Sequence, residues 1–251
     1  MRLTVAGVPV DAITFEEAAA RAGVLLSDGG QHRIVTPNPE MAVLAARDPG
    51  FKKLLESADL ALADGYGLKL AAWWEGTHVP ETITGVDFGL ALAQIAEQKN
   101  CSLYFLGGGD RSAETAAKNL LKVYPRLRFA DASSGGRIRW INGKWEEDAD
   151  LTERIAKTNP DILFVALGHG KQERWIRDHL ARLPSVKIAI GVGGALDYYA
   201  GHKRRAPGFM RSLHLEWCWR LISEPWRAPR IFEATYVFLR LVLKNKRNRV
   251  R

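Results

Sequence analysis

DILFVALGHGKQERWIRDHLARL, residues 161–183, is the stretch whose reading decides the fold. Positions 162–167 are apolar without a break, and Gly168 ends the run. A strand with one wet face alternates apolar and polar residues, whereas a strand covered on both faces is apolar throughout. The loop His169-Gly170-Lys171 follows, and then QERWIRDHLARL returns its apolar residues at helical spacing. Buried strand, short loop and amphipathic helix make one unit of a parallel sheet.

The unit recurs in both directions. RIVT (33–36), DLALA (59–63), CSLYFLG (101–107), LRFADA (127–132) and VKIAIGVG (186–193) read as strands. Between them lie helical segments: one through MAVLAARD after Pro39, FKKLLESA, one through LKLAAWW, GVDFGLALAQIAEQ, RSAETAAKNLLKVY and EEDADLTERIAKT. Ahead of these, VAGVPVDAIT reads as a hairpin turning at Gly7-Val8-Pro9, and Thr14 with Glu17 forms a capping box for EEAAARAGVLL. The fold class expected is α/β: a Rossmann-like, mostly parallel sheet covered by helices on both faces, with a helical, basic C-terminal appendage. The boundary falls in GHKRRAPG, giving a catalytic body over 1–201 and a basic, aromatic-rich helical appendage over 202–251.

Charge supports that division. From residue 202 onward thirteen Lys and Arg face three Glu, a balance of +10, and residues 1–201 hold the remaining 23 basic and 25 acidic side chains. A near-neutral body with a strongly basic end calls for an anionic partner: phosphate, nucleic acid or anionic lipid. Cys101 and Cys218 both sit among apolar neighbours and read as buried thiols, with no disulfide framework or zinc cluster. No signal-peptide core and no apolar run of transmembrane length is evident, so a cytoplasmic location is expected. In the tail, Phe232, Tyr236, Leu239 and Leu243 fall on one helical face ahead of a cationic end. That stripe suits either docking onto the body or an interfacial helix drawn to anionic lipid.

In open α/β sheets, ligands bind beyond the carboxyl ends of the strands. The residues there are Thr36-Pro37-Asn38, Asp64-Gly65, Gly107-Gly108-Gly109-Asp110, the run from Gly168 to Glu173 that includes Lys171 and Gln172, and the run from Gly191 to Asp197 that includes Gly193. Each has a bland reading beside the functional one. The triple glycine is a phosphate or ribose cradle, or a plain tight turn. Asp64 is a working carboxylate or the N-cap of the next helix, and Glu173 merely suits a helix dipole. No HExxH and no Asp-x-Asp pattern is present, so no metal site is expected, and arginines of the appendage are the candidates for neutralising a bound diphosphate.

Eight segments, in order, resemble the WecG/TagA/CpsF family of bacterial glycosyltransferases: TPNPEMAVLAARDP, ADLALADGYG, TGVDF, LYFLGG, YPRLRF, PDILFVALGHGKQERWI, AIGVGGALDYYAG and RRAPGFMRSLHLEWCWRLISEPWRAPR. They cover the chain from about residue 33 to 230. Gly170 stands where the family usually has Pro, and Glu81-Thr82-Ile83-Thr84 where it often has Arg. The resemblance implies an inverting, metal-independent transfer of a sugar from a UDP-sugar donor to a polyprenyl-diphosphate-linked saccharide, with no cofactor, on the cytoplasmic membrane face. It implies Asp64 as general base and Thr36 and Gln172 as lining the active site. It implies that the appendage closes over that site and touches the membrane, with Arg211, Arg220, Arg227 and Arg230 at the matching positions. Asn38, Gly65, Gly107, Gly108, Gly168, Lys171, Glu173, Gly193 and Asp197 join them as expected substrate contacts. The partners expected are therefore the donor, the lipid-linked acceptor and an anionic membrane surface, but no nucleic acid. Self-association is a further expectation, since related proteins form dimers.

Two other functions compete. A nicotinamide-dependent oxidoreductase would use the GGGD turn, but GxGxxG with an acidic residue some 20 positions on is missing. A nucleic-acid-binding module would use the basic end, but no known nucleic-acid motif accompanies it.

Overall fold

Six of the apolar runs become the strands of one parallel sheet. The structure, a computed structural model, describes residues 1–212 and 215–249, and of residues 211, 212, 220 and 246–249 only the backbone. The chain opens with strands β1 (Arg2–Val5) and β2 (Val8–Asp11) and helix α1 (Phe15–Leu25), followed by β3 (His32–Val35), α2 (Pro39–Arg47), α3 (Pro49–Glu56), β4 (Leu60–Ala61), α4 (Tyr66–Trp74) and α5 (Gly85–Gln98). Then come β5 (Ser102–Gly107), α6 (Ser112–Val123), β6 (Arg128–Ser133), β7 (Arg139–Ile141), β8 (Lys144–Glu146), α7 (Leu151–Lys157), β9 (Ile162–Ala166), α8 (Lys171–His179), β10 (Ile188–Gly191) and α9 (Ala195–Tyr199). The appendage holds α10 (Gly208–Ser212), α11 (Glu216–Ser223), α12 (Ala228–Phe232), one π-helical turn (Glu233–Val237) and α13 (Phe238–Arg249).

The sheet order is β4-β3-β10-β9-β5-β6, and each pairing in it is parallel. All six strands therefore point their carboxyl ends to one edge. Side chains alternate faces along a strand. In β9, Ile162, Phe164 and Ala166 enter the core beneath α1, α5, α6 and α9, while Leu163 and Val165 enter the core beneath α7 and α8. A third core joins the β1–β2 hairpin, α2, α3 and α4 over β3 and β4. Both faces are covered, which is why the strand read as apolar throughout.

The two small hairpins differ from the expectation. The first turns at Ala6-Gly7, with φ of +48° and +85°, and Pro9 lies within β2 opposite Thr4. A two-residue turn of this kind needs positive φ at both positions, which proline cannot adopt. The second, β7–β8, turns at Asn142-Gly143, with φ of +50° and +77°, and sets Trp140 against Trp145 with ring centroids 4.7 Å apart. Its second strand ends on Glu146, where a helix was expected to start, and that helix begins only at Leu151.

The helix starts follow their caps. Thr14 and Glu17 form the expected capping box, Asn38 caps α2 ahead of Pro39, and Asp48 caps α3 ahead of Pro49. Cys101 is buried as expected, whereas Cys218 in α11 is only half-buried. The appendage returns to the body, because Phe238 and Val242 of α13 join the core with Met41 of α2 and Leu68 of α4. Burying each is worth about 2 kcal/mol. Among the described residues no helix is long and apolar enough to cross a membrane.

Candidate active site

The loops after β3 and β4 are stitched together by backbone hydrogen bonds. Leu62 N donates to Val35 O at 2.9 Å, Asp64 N to Pro37 O at 2.8 Å and Ile83 N to Ala63 O at 2.7 Å. Beneath them the buried Asp11 carboxylate accepts from Ala61 N at 2.8 Å and from Arg2 Nε at 3.0 Å, tying β4 to the hairpin. Burial pushes the Asp11 carboxyl up, but the bonds from Arg2 and Ala61 outweigh it and leave it below the usual carboxylate range. β4 is only two residues long, so these bonds are what hold Asp64 in place.

Asp64 is not the cap of α4. Gly65 takes the N-cap position, with φ +94° and ψ 140°, and no side-chain cap bond closes it. A residue with a Cβ is strained at that φ, which accounts for glycine directly after the carboxylate. Half-buried Asp64 lines a cleft of about 860 Å³ that runs from the strand ends to the appendage. Asn38, Gly65, Arg227 and Arg230 also line it. Asn38 additionally accepts Met41 N at 2.9 Å as the cap of α2.

Other expected residues lie behind this surface. Thr36 is buried beneath the loops and is not among the cleft-lining residues. Gln172 and Glu173 are 3% and 2% exposed. Gln172 Oε1 accepts Gly193 N at 3.0 Å, and Gln172 Nε2 donates to Glu173 Oε1 at 2.8 Å. Glu173 also accepts Gly170 N at 2.6 Å, and burial pushes its carboxyl up. Gln172 is pressed against the end of β10 so closely that a methyl on Gly191 would come within 2.5 Å of its Nε2. The pair therefore holds the β9–α8 and β10–α9 loops from inside. Lys171 is exposed at the start of α8, and Gly168, with φ +83°, borders open space.

The glycine turn after β5 is also engaged internally. Gly108 N donates to Ala166 O at 3.0 Å, and Gly109 N to Asp197 Oδ1 at 3.0 Å. A Cβ on Gly107 would meet Ala166 O at 2.8 Å, and one on Gly108 would meet Ser112 Cβ at 2.9 Å. These glycines serve close packing, and the cradle reading loses two of its donors. Asp197 further accepts Ser112 Oγ at 2.8 Å and pairs with Lys203 at 3.0 Å. Burial raises its pKa and these donors lower it, with a net shift downward.

What fills the cleft is charge from both parts of the chain. Arg230 Nε donates to Glu40 at 2.9 Å, and its Nη2 donates to His169 Nδ1 at 2.7 Å. Arg227 pairs with Glu224. Arg205, which the sequence reading had not singled out, forms a two-pronged contact with Asp87, whose second bond is 3.2 Å, and lies 3.5 Å from Glu216. Asp87 is set by Thr84, the cap of α5, whose Oγ1 donates to it at 2.6 Å. TGVDF and KRRAPG carried that pair in the sequence, but 118 residues separate Arg205 from Asp87. The side chains of Arg211 and Arg220 lie outside the described residues.

One cleft thus brings together a strand-end carboxylate and three guanidiniums, Arg205, Arg227 and Arg230. The sequence pattern of the Glycosyl transferase WecG/TagA/CpsF family matches residues 3–251, and the chain belongs to that family. It is 31% identical over 217 residues to an N-acetylglucosaminyldiphosphoundecaprenol N-acetyl-beta-D-mannosaminyltransferase of Bacillus subtilis, covering 86% of this chain and 80% of that protein. It is equally 31% identical, over 214 residues each, to proteins of the same description from Bacillus spizizenii and Staphylococcus aureus. These cover 85% of this chain, with 79% of the Bacillus spizizenii protein and 80% of the Staphylococcus aureus one.

Proposed function

We propose that this glycosyltransferase moves a hexose from a UDP-sugar to a polyprenyl-diphosphate-linked saccharide, with inversion at the anomeric carbon and without a metal ion, in the building of a cell-surface polymer. The observation that carries the reading is the strand-end carboxylate of Asp64 sharing one cleft with Arg205, Arg227 and Arg230, while the cleft's other carboxylates, Glu40, Asp87 and Glu216, lie against those arginines. An inverting displacement needs one base on the acceptor side: Asp64 takes the proton of the attacking hydroxyl while UDP leaves from the opposite face. The charge growing on the departing diphosphate needs cations held ready for it, and guanidinium forks match phosphate oxygens. Each of these arginines already faces a carboxylate, so the diphosphate would take over from Asp87, Glu224 or Glu40.

The relatives' description supports N-acetylmannosamine as the sugar and undecaprenyl-linked N-acetylglucosamine as the acceptor. The corresponding uronic acid and glucose are the other sugars to test. We further propose that residues 202–251 close the site and rest on the inner face of the cell membrane. Exposure of Phe232 and Tyr236, ahead of a docking face made by Phe238 and Val242, supports this. The deciding experiment is a UDP-release screen of UDP-sugars against short prenyl-diphosphate N-acetylglucosamine. Release with UDP-N-acetylmannosamine that depends on the acceptor is expected. Stabilisation by NAD alone, with no release from any UDP-sugar, would overturn it.

A further inference from the structure

The cleft changes character along its length. Beside the strand ends it is polar, and away from them it continues as an apolar trough between α4 and α13. One wall carries Leu70, Trp73 and Trp74, the other Leu239 and Leu243, over a floor that includes Phe238 and Val242. The five wall residues are 43–73% exposed, while Phe238 and Val242 are buried. Both helices bury another face in the body, so packing does not account for these large uncovered side chains. Apolar groups gathered around one concavity mark a binding site rather than ordinary surface. The trough starts directly beside the carboxylate: a methyl on Gly67 would lie 2.9 Å from Pro39 Cγ and 3.6 Å from Phe238 Cε1, so α2, α4 and α13 converge two residues past Gly65.

We propose that this trough holds the first isoprene units of the acceptor's prenyl chain, so that the body helix α4, with Trp73 and Trp74, recognises the lipid together with α13. The proposal rests on the lipid-linked acceptor of the reading above. A bilayer surface presses on a protrusion, whereas two facing walls over a buried floor suit a single chain. A ligand polar at one end and apolar along the rest matches a cleft divided in the same way. The nine residues of α4 give the wall a length of about 13 Å, so a farnesyl tail should fill it.

The test is titration of the full chain with farnesyl diphosphate and with methyl diphosphate, free of lipid and detergent, by calorimetry and tryptophan fluorescence. Farnesyl diphosphate should bind at least about tenfold tighter, the effect of burying a few methylene groups. Trp73→Ser and Leu243→Asp, both at exposed positions where the fold tolerates change, should each bring farnesyl binding down to the methyl level and leave methyl binding unchanged. Equal affinity for the two diphosphates overturns the proposal. So does a pair of variants that lose vesicle binding, or self-association, yet keep the farnesyl preference. Because no donor or turnover is involved, farnesyl-selective binding without any transfer would refute the transfer and leave the trough. Transfer indifferent to tail length would do the reverse.

Discussion

Asp64 stands one residue before Gly65, the N-cap of α4, and its backbone is fixed by Pro37 O. As general base it should contribute a factor of about 10²–10⁴. Asp64→Asn is therefore expected to cut kcat by that factor while UDP binding, followed by calorimetry, changes by less than about threefold, since the amide has the same shape. Near-normal turnover of the variant would remove Asp64 from the mechanism. Gln172 calls for a different measurement, because its amide faces inward. Gln172→Met keeps the volume but strips Gly193 N and Glu173 Oε1 of their partner. Leaving the buried Glu173 Oε1 and the half-buried Gly193 N unmatched should cost about 1–3 kcal/mol in urea unfolding. A loss below about 0.5 kcal/mol would mean that these bonds do not hold the loops. The strand-end residues were legible because a parallel sheet brings every carboxyl end to one edge, whatever the detail. Which of them face a ligand was not, because that depends on packing such as Gln172 against Gly191, which spacing does not encode.

Among the elements, the long apolar strands and the helix behind the Thr14 capping box were legible from local chemistry, whereas Asp48, read as the end of one helix, is the N-cap of the next. The β7–β8 hairpin also carried its mark, Asn142-Gly143 between two Trp-bearing strands, but its three-residue strands are too short for an alternation pattern. The seating of α12 and α13 was not legible, because it depends on Arg230 meeting Glu40 and His169 far away in the chain. That contact makes appendage docking sensitive to pH. Burial lowers the His169 pKa, Glu40 opposes this and Arg230 reinforces it, with Glu233 and Arg227 adding smaller effects of either sign, and the net shift is below the usual 6.5. The neutral ring accepts from Arg230 at Nδ1 and faces Glu40 Oε2 with Nε2 at 3.3 Å. Where docking lowers a histidine's pKa, the undocked state binds the proton more tightly. The stabilisation is then present above 6.5 and lost as pH falls through the docked-state value. Amide exchange in α12 and α13, taken relative to its intrinsic rate at each pH, should accordingly quicken as pH falls below 6.5, and His169→Gln, which keeps an acceptor and a donor but does not titrate, should flatten that change. Equal acceleration in both proteins would assign the effect to other groups.

Over the whole molecule the charge is arranged in series with the cleft: a body of 23 basic and 25 acidic side chains, and an end carrying +10. The asymmetry was visible from composition, but not how the basic end relates to the exposed aromatic stripe. Phe232 and Tyr236 stack at 5.1 Å, with Arg240 set 5.9 Å from the Tyr236 ring. Apolar side chains and cations on one uncovered surface combine the two attractions that hold an interfacial helix to an anionic leaflet. Each cation near such a surface contributes about 1 kcal/mol, so Arg240→Gln with Lys244→Gln should weaken binding to phosphatidylserine-containing vesicles roughly thirtyfold at low salt. The gap should narrow as salt rises to about 0.5 M and the screening length shrinks. Phe232→Ser, by contrast, should weaken binding by an amount that salt leaves unchanged, since it removes apolar area buried in the leaflet rather than charge. Sedimentation with vesicles of graded phosphatidylserine content separates the two terms. If the double Gln variant and the wild-type chain sediment alike with anionic vesicles at low salt, the basic end serves the diphosphates in the cleft and not the membrane.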